Sequence, residues 1–90
     1  TLDDKSNYAA RLLYWGFIPS WVKDFQTAHK PINARAETIE TNAYFRHAFK
    51  RGRCLIPATG FYEWDKNTKP KTPYRFYEPQ QELFAFAGLW

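Results

Sequence analysis

Apolar residues along this chain fall into short blocks separated by polar stretches of unequal length. Residues 11–18 (Arg-Leu-Leu-Tyr-Trp-Gly-Phe-Ile) form a nearly continuous apolar run that Pro19 closes. The run is short and rich in aromatic residues, so it predicts a buried strand. Residues 19–24 follow as a loop or short turn that carries Trp21. Over 41–51 the period changes: Tyr44/Ala48 and Phe45/Phe49 are four apart and make one helical stripe. Thr41 is the candidate N-cap, Glu40 lies near the positive end, and basic Lys50 and Arg51 precede Gly52. Residues 53–57, 60–64, 73–78 and 82–90 predict four more strands. A polar hairpin loop over 65–72 joins the middle two, and Pro79-Gln80-Gln81 joins the last two. In the last strand Phe84, Phe86, Gly88 and Trp90 share one face, and Leu83, Ala85, Ala87 and Leu89 the other. Both faces are apolar, which predicts a central position. The expected fold class is α+β: β-rich, mostly antiparallel, five or six strands with one short helix near 41–51.

One stretch breaks the apolar rhythm. Pro31-Ile32-Asn33-Ala34-Arg35-Ala36-Glu37-Thr38 puts an amide, a guanidinium and a carboxylate at every second position. On an extended backbone all three side chains share a face. Such a row faces water, forms a satisfied internal network or meets a polar ligand, and the spacing leaves all three open. A second stretch, Gly60-Phe61-Tyr62-Glu63-Trp64, sets a carboxylate between two aromatic residues. Desolvation there would raise its pKa and suit general acid/base work, and a solvent-facing Glu on an edge strand is an equal alternative. Trp21 reads first as a lid over the core, because loop Trp residues usually bury their rings, with an exposed stacking surface the lesser alternative. His29 and His47 are isolated histidines with no catalytic set around them. The lysines of 65–72 read as a solvated basic tip, with phosphate contact the lesser alternative.

Composition narrows the classes. Ninety residues make one domain at most, and an aromatic content of 20% lets few residues supply a core. Thirteen basic and nine acidic residues give a net charge of +4, a mild bias that permits a nucleic-acid partner without demanding one. The single cysteine, Cys54, cannot form an internal disulfide, and its apolar neighbours mark it as a small buried hydrophobe. No Cys/His cluster has metal-ligand spacing, so neither metal nor cofactor is expected. No apolar stretch reaches the length of a membrane span, about 18 residues or more. The start lacks Met, and 84–90 is an apolar run at the end, which together predict an internal piece of a longer protein. In isolation the apolar residues of 12–18 and 83–90 would lack cover, and self-association is expected.

Four blocks stand in order: Trp15-Gly16-Phe17-Ile18-Pro19-Ser20-Trp21, Ile32-Asn33-Ala34-Arg35-Ala36-Glu37-Thr38, Arg53-Cys54-Leu55-Ile56-Pro57-Ala58 and Gly60-Phe61-Tyr62-Glu63-Trp64. Together they resemble the SOS-response-associated peptidase (SRAP) family, over about residues 12–90. The resemblance implies a compact β-rich α+β domain longer than this chain, so residues 1–90 are expected to be a single partial SRAP domain, its central portion. It implies protection of abasic sites in single-stranded DNA by a covalent DNA–protein crosslink. An N-terminal cysteine adds through its amine and thiol to the sugar aldehyde and closes a thiazolidine. By resemblance Asn33 positions that cysteine, Glu63 is the acid/base, Arg35 grips DNA phosphate and Trp21 lies in a loop near the DNA. Where some members have a second consecutive Trp, this chain has Val22. The nucleophilic cysteine and the family's catalytic histidine have no match here, since Cys54 falls at a core position and neither His29 nor His47 sits in a matching motif.

The implied partner is single-stranded DNA containing abasic sites, with no membrane and no metal, in the cytoplasm and at the nucleoid if the source is bacterial. A non-covalent single-stranded DNA-binding module is the first alternative, because basic charge and aromatics such as Trp21 suit a stacking groove. An autocatalytic N-terminal peptidase is the second, and general peptide hydrolysis ranks last because no Ser/His/Asp set is present.

Overall fold

A computed structural model describes Lys5 and residues 7–90. The chain divides into two compact units, the described part of Thr1–Cys54 together with Gly88–Trp90, and Leu55–Ala87. Among the described residues the elements run α1 (Arg46–Arg51), β1 (Arg53–Ala58), β2 (Phe61–Asp65), β3 (Thr72–Phe76) and β4 (Phe84–Leu89). The fold is β-rich with an antiparallel hairpin and one short helix, as the apolar pattern predicts.

The first unit is built mainly from turns. Gly16 has φ 111°, a left-handed conformation that an L side chain rarely adopts, and a Cβ there would press on Lys30 Cβ at 3.3 Å. The bend lets Phe17 N–H donate to Pro31 O at 2.8 Å. Asp24 closes its own loop, its Oδ1 accepting Gln26 N–H at 3.0 Å and Thr27 N–H at 3.4 Å. From Arg35 onward the turns follow one another. Arg35 O accepts Thr38 and Ile39 N–H, Thr38 O accepts Thr41 and Asn42 N–H, and Asn42 O accepts Phe45 and Arg46 N–H. This staircase feeds α1, which Lys50, Arg51 and the Gly52 N–H bond to Ala48 O (2.7 Å) complete.

Several expectations are corrected. Residues 11–18 form no strand; Leu12 and Tyr14 are almost wholly exposed, and Leu13 and Trp15 are exposed too. The run has no strand partner among the described residues, and Gly16 breaks its alternation. The helix begins at Arg46 rather than near Thr41. Thr41 is not its cap; its hydroxyl donates to Thr38 O, while Asn42 Oδ1 takes Tyr44 N–H at 2.8 Å, an Asx turn that delays regular helix. Among the described residues four strands form rather than five or six, and β4 pairs with β1 alone. Its two apolar faces therefore do not mark a central strand among the described residues.

The second unit holds the hairpin. β2 and β3 pair antiparallel with Phe61 opposite Phe76, Glu63 opposite Tyr74 and Asp65 opposite Thr72. Phe61 stacks on Phe76 at 5.2 Å, and the edges of Phe86 and Phe84 meet Phe61 at 5.6 and 6.3 Å. Each such pair adds about 0.5–1.5 kcal/mol beyond the area it buries. Among the described residues only Pro19, Ala48 and Gly52 are buried, and Cys54 is half-buried. Aromatic contacts and turn hydrogen bonds, more than deep apolar burial, hold these elements.

Candidate functional site

Asn33 is positioned by the residues just before it. Phe17 N–H anchors Pro31 O, and the Tyr44 hydroxyl donates to His29 O, so residues 29–31 are tied from two directions. Tyr44 is the hub of this arrangement. Its ring meets Trp21 edge-on at 5.8 Å (88°), Phe17 at 6.0 Å, His29 at 6.1 Å and Phe45 at 5.6 Å. Beyond the tether, Asn33 is exposed, and Arg35 is exposed at the mouth of the turn that its own carbonyl opens. No hydrogen bond or ion pair among the described residues engages either side chain. Both polar groups are thus displayed on a tethered backbone and left available.

The three-residue polar row is corrected. Residues 31–38 form no strand, and Ala36 to Thr38 lie in turn, so strand alternation does not place Glu37 beside Asn33 and Arg35. Glu37 makes no contact with Arg35 or with a backbone N–H among the described residues.

Trp21 is 61% exposed, so its ring does not act as a buried lid. A turn closed by Val22 N–H to Pro19 O (3.1 Å) presents it, and Tyr44 steadies one edge. Beside it a cavity of about 290 Å³ is lined by Phe17, Tyr44, His47, Arg51 and Trp90 among others. Tyr44, His47 and Arg51 were not legible as neighbours of Trp21, because more than twenty residues of chain separate them. The i, i+4 spacing of His47 and Arg51 on α1 is the one signal that could have paired them.

Glu63 belongs to the other unit, on β2. It is exposed, so of the two equal alternatives the solvent-facing carboxylate is the one observed. Strand alternation puts it on the Phe61 face, opposite Tyr74, with Tyr62 and Trp64 turned to the other face. With Trp64, Lys66, Pro70 and Lys71 it lines an open recess of about 530 Å³. An exposed carboxylate at the edge of an open recess can accept a proton from a bound ligand.

Electrostatically, one carboxylate stands out. The Thr27 side chain, then the Gln26 and Thr27 backbone N–H groups, hold Asp24 below its ordinary pKa of 3.8, with Lys30 adding to the effect. No group of three or more His, Cys, Asp or Glu among the described residues could hold a metal ion. No described helix is long and apolar enough to cross a membrane.

Comparison with known proteins then adds relatives to this geometry. The family model described as SOS response associated peptidase (SRAP) matches residues 1–90. The abasic site processing protein YoaM of Bacillus subtilis is 47% identical over 90 residues, covering 99% of this chain and 40% of that protein. The abasic site processing protein HMCES of Xenopus tropicalis is 36% identical over 81 residues, covering 86% of this chain and 24% of its own length. A crystal structure of a Bacteroides thetaiotaomicron protein superposes with a TM-score of 0.72 at 34% identity, over 83% of this chain and 34% of that one. The chain spans about 40% of the length of its Bacillus relatives.

Proposed function

The chain belongs to the SOS response associated peptidase (SRAP) family, and from that premise we propose that it carries the central part of an abasic-site processing centre, within one domain, that captures damaged single-stranded DNA covalently. In this reading a cysteine outside these 90 residues supplies both reacting groups. Its α-amine adds to C1′ of the open sugar aldehyde and loses water to give an imine. Its thiolate then adds to the imine carbon while the nitrogen takes up a proton, and a five-membered thiazolidine closes. Cys54 is not that residue: it lies mid-chain on β1, so its amine is tied up in a peptide bond.

Each proposed role matches what the side chain can do. Asn33 offers an amide donor and acceptor to orient the amine. Arg35 offers a guanidinium fork for phosphate. Trp21 offers an exposed π-face for a base. Glu63 moves the proton that opening the sugar ring and forming the imine both require. The observation that carries the reading is the tethered display of Asn33 and Arg35, each exposed and unengaged, in a chain whose relatives are named for abasic-site processing.

The test is a denaturing gel. The full-length protein is incubated with a single-stranded oligonucleotide containing one abasic site, then heated in detergent. A band shifted by the mass of the protein supports covalent capture. Retention of the DNA only on native gels would replace the proposal with non-covalent binding.

A further inference from the structure

We infer that the tip and outer face of the β2–β3 hairpin form an additional contact surface for single-stranded DNA, built from Lys66, Lys69, Lys71, Trp64 and Tyr62. The inference rests on the proposed function for its ligand and extends the contact beyond Trp21 and Arg35. The first support is charge. Lys66, Lys69 and Lys71 are exposed, and none has an ion-pair partner among the described residues. The neighbouring carboxylate of Asp65 is engaged within the turn, its Oδ1 accepting Asn67 N–H at 2.9 Å. Arg75 is excluded from the count of available cations. Its guanidinium lies 5.0 Å from the Tyr77 ring and donates to Thr59 O at 3.5 Å.

The second support is order. Thr68 and Thr72 join their hydroxyls at 2.9 Å, Thr72 N–H donates to Thr68 Oγ1 at 2.8 Å, and the Thr68 hydroxyl reaches Asp65 O at 3.2 Å. The lysines therefore project from a closed turn, which lowers the entropy lost when they meet a ligand. The third support is the rings. Tyr62 and Trp64 alternate onto one face of β2 and are 68% and 57% exposed. They stand two residues, about 7 Å, apart along the strand, a step over which an extended single strand can lay successive bases. Trp64, Lys66 and Lys71 also line the open recess that holds Glu63. Rings for bases beside cations for phosphates fit a single strand; an acidic protein surface would use the lysines and leave the rings idle.

The test uses an undamaged labelled dT20 strand and the full-length protein, with binding followed by fluorescence anisotropy across a salt series. The triple variant K66Q/K69Q/K71Q should make the slope of log K against log salt shallower by about 2, since each single-strand phosphate contact contributes roughly 0.7. An unchanged slope overturns the inference. Trp64→Leu should weaken binding roughly tenfold at fixed salt with the slope retained, and affinity within about twofold of wild type overturns the stacking half. If Trp64→Leu does not fold, the lysine variant at the exposed tip still decides. Undamaged DNA cannot be captured covalently, so loss of crosslinking with intact dT20 binding would sink the proposed function and spare this surface.

Discussion

Tyr44 offers the sharpest test of how the first unit is held. Its hydroxyl ties His29 O, and its ring touches Phe17, Trp21, His29 and Phe45. Tyr44→Phe removes only the hydrogen bond. The His29 carbonyl lies at an exposed residue and can be rehydrated, so the expected cost is about 0.5–1 kcal/mol, the low end for a neutral bond. Tyr44→Ala also removes the ring. Fully buried aromatic truncations cost roughly 3–5 kcal/mol; Tyr44 is half-buried, so about half of that applies, for a total near 2–3 kcal/mol. Urea unfolding of the full-length protein, followed by tryptophan fluorescence, reads both values from the midpoint shift at constant slope. Tyr44→Ala should also slow abasic-site capture, because residues 29–31 lose one of their two ties and Asn33 follows two residues on. If the two variants are equally destabilised, the ring contacts contribute nothing. If Tyr44→Ala folds and captures DNA at the wild-type rate, the tether does not position Asn33.

Gly52 is buried, and a Cβ there would overlap the carbonyl of Trp90, whose N–H donates to Gly52 O at 2.8 Å. Gly52→Ala should lower stability by about 1–3 kcal/mol in a thermal melt, and an unchanged Tm would contradict the close approach. Asp24 carries a pH signature. Its pKa is lowered by the Thr27 side chain and then the Gln26 and Thr27 N–H groups, so its contribution is fully present above 3.8 and is lost only as pH falls through the lower folded value. The Gln26 and Thr27 amide NMR shifts should hold through pH 3.8 and move below it; a midpoint at or above 3.8 refutes the bonding. Arg35→Ala should weaken single-strand binding and make the salt slope shallower by roughly 0.7, and normal binding at every salt concentration would rule out phosphate contact.

The hairpin was legible because its signals are local. Residues 60–64 and 73–78 alternate or carry strand formers, and Asp65, Asn67 and Thr68 supply turn chemistry between them. The strand expected over 11–18 failed for a physical reason: apolar content favours burial, but a ladder needs a neighbouring backbone, and none of the described strands pairs there. The late start of α1 was written in Asn42, whose side chain takes the Tyr44 N–H and competes with the helix for backbone donors, and reading Thr41 as the cap passed over it. At the site, the recurring positions of Asn33 and Arg35 marked a polar face, while the turn that removes Glu37 from it depends on Arg35 O meeting Thr38 and Ile39 N–H. The role of Tyr44 could not be read at all. It unites residues 17, 21, 29 and 45, and no periodicity links positions so far apart.

Glu63 separates covalent capture from DNA binding. It is exposed on β2 at an open recess, and its proposed role is proton transfer rather than DNA contact. The measurement is a crosslinking time course for Glu63→Gln in the full-length protein on abasic single-stranded DNA, with DNA affinity measured in parallel. Removing general acid/base catalysis should slow capture by about 10²–10⁴-fold. Affinity should stay close to wild type, because Gln keeps the size and hydrogen-bonding reach of Glu. Crosslinking and binding that fall together would contradict the assignment, and a wild-type crosslinking rate would remove Glu63 from the reaction.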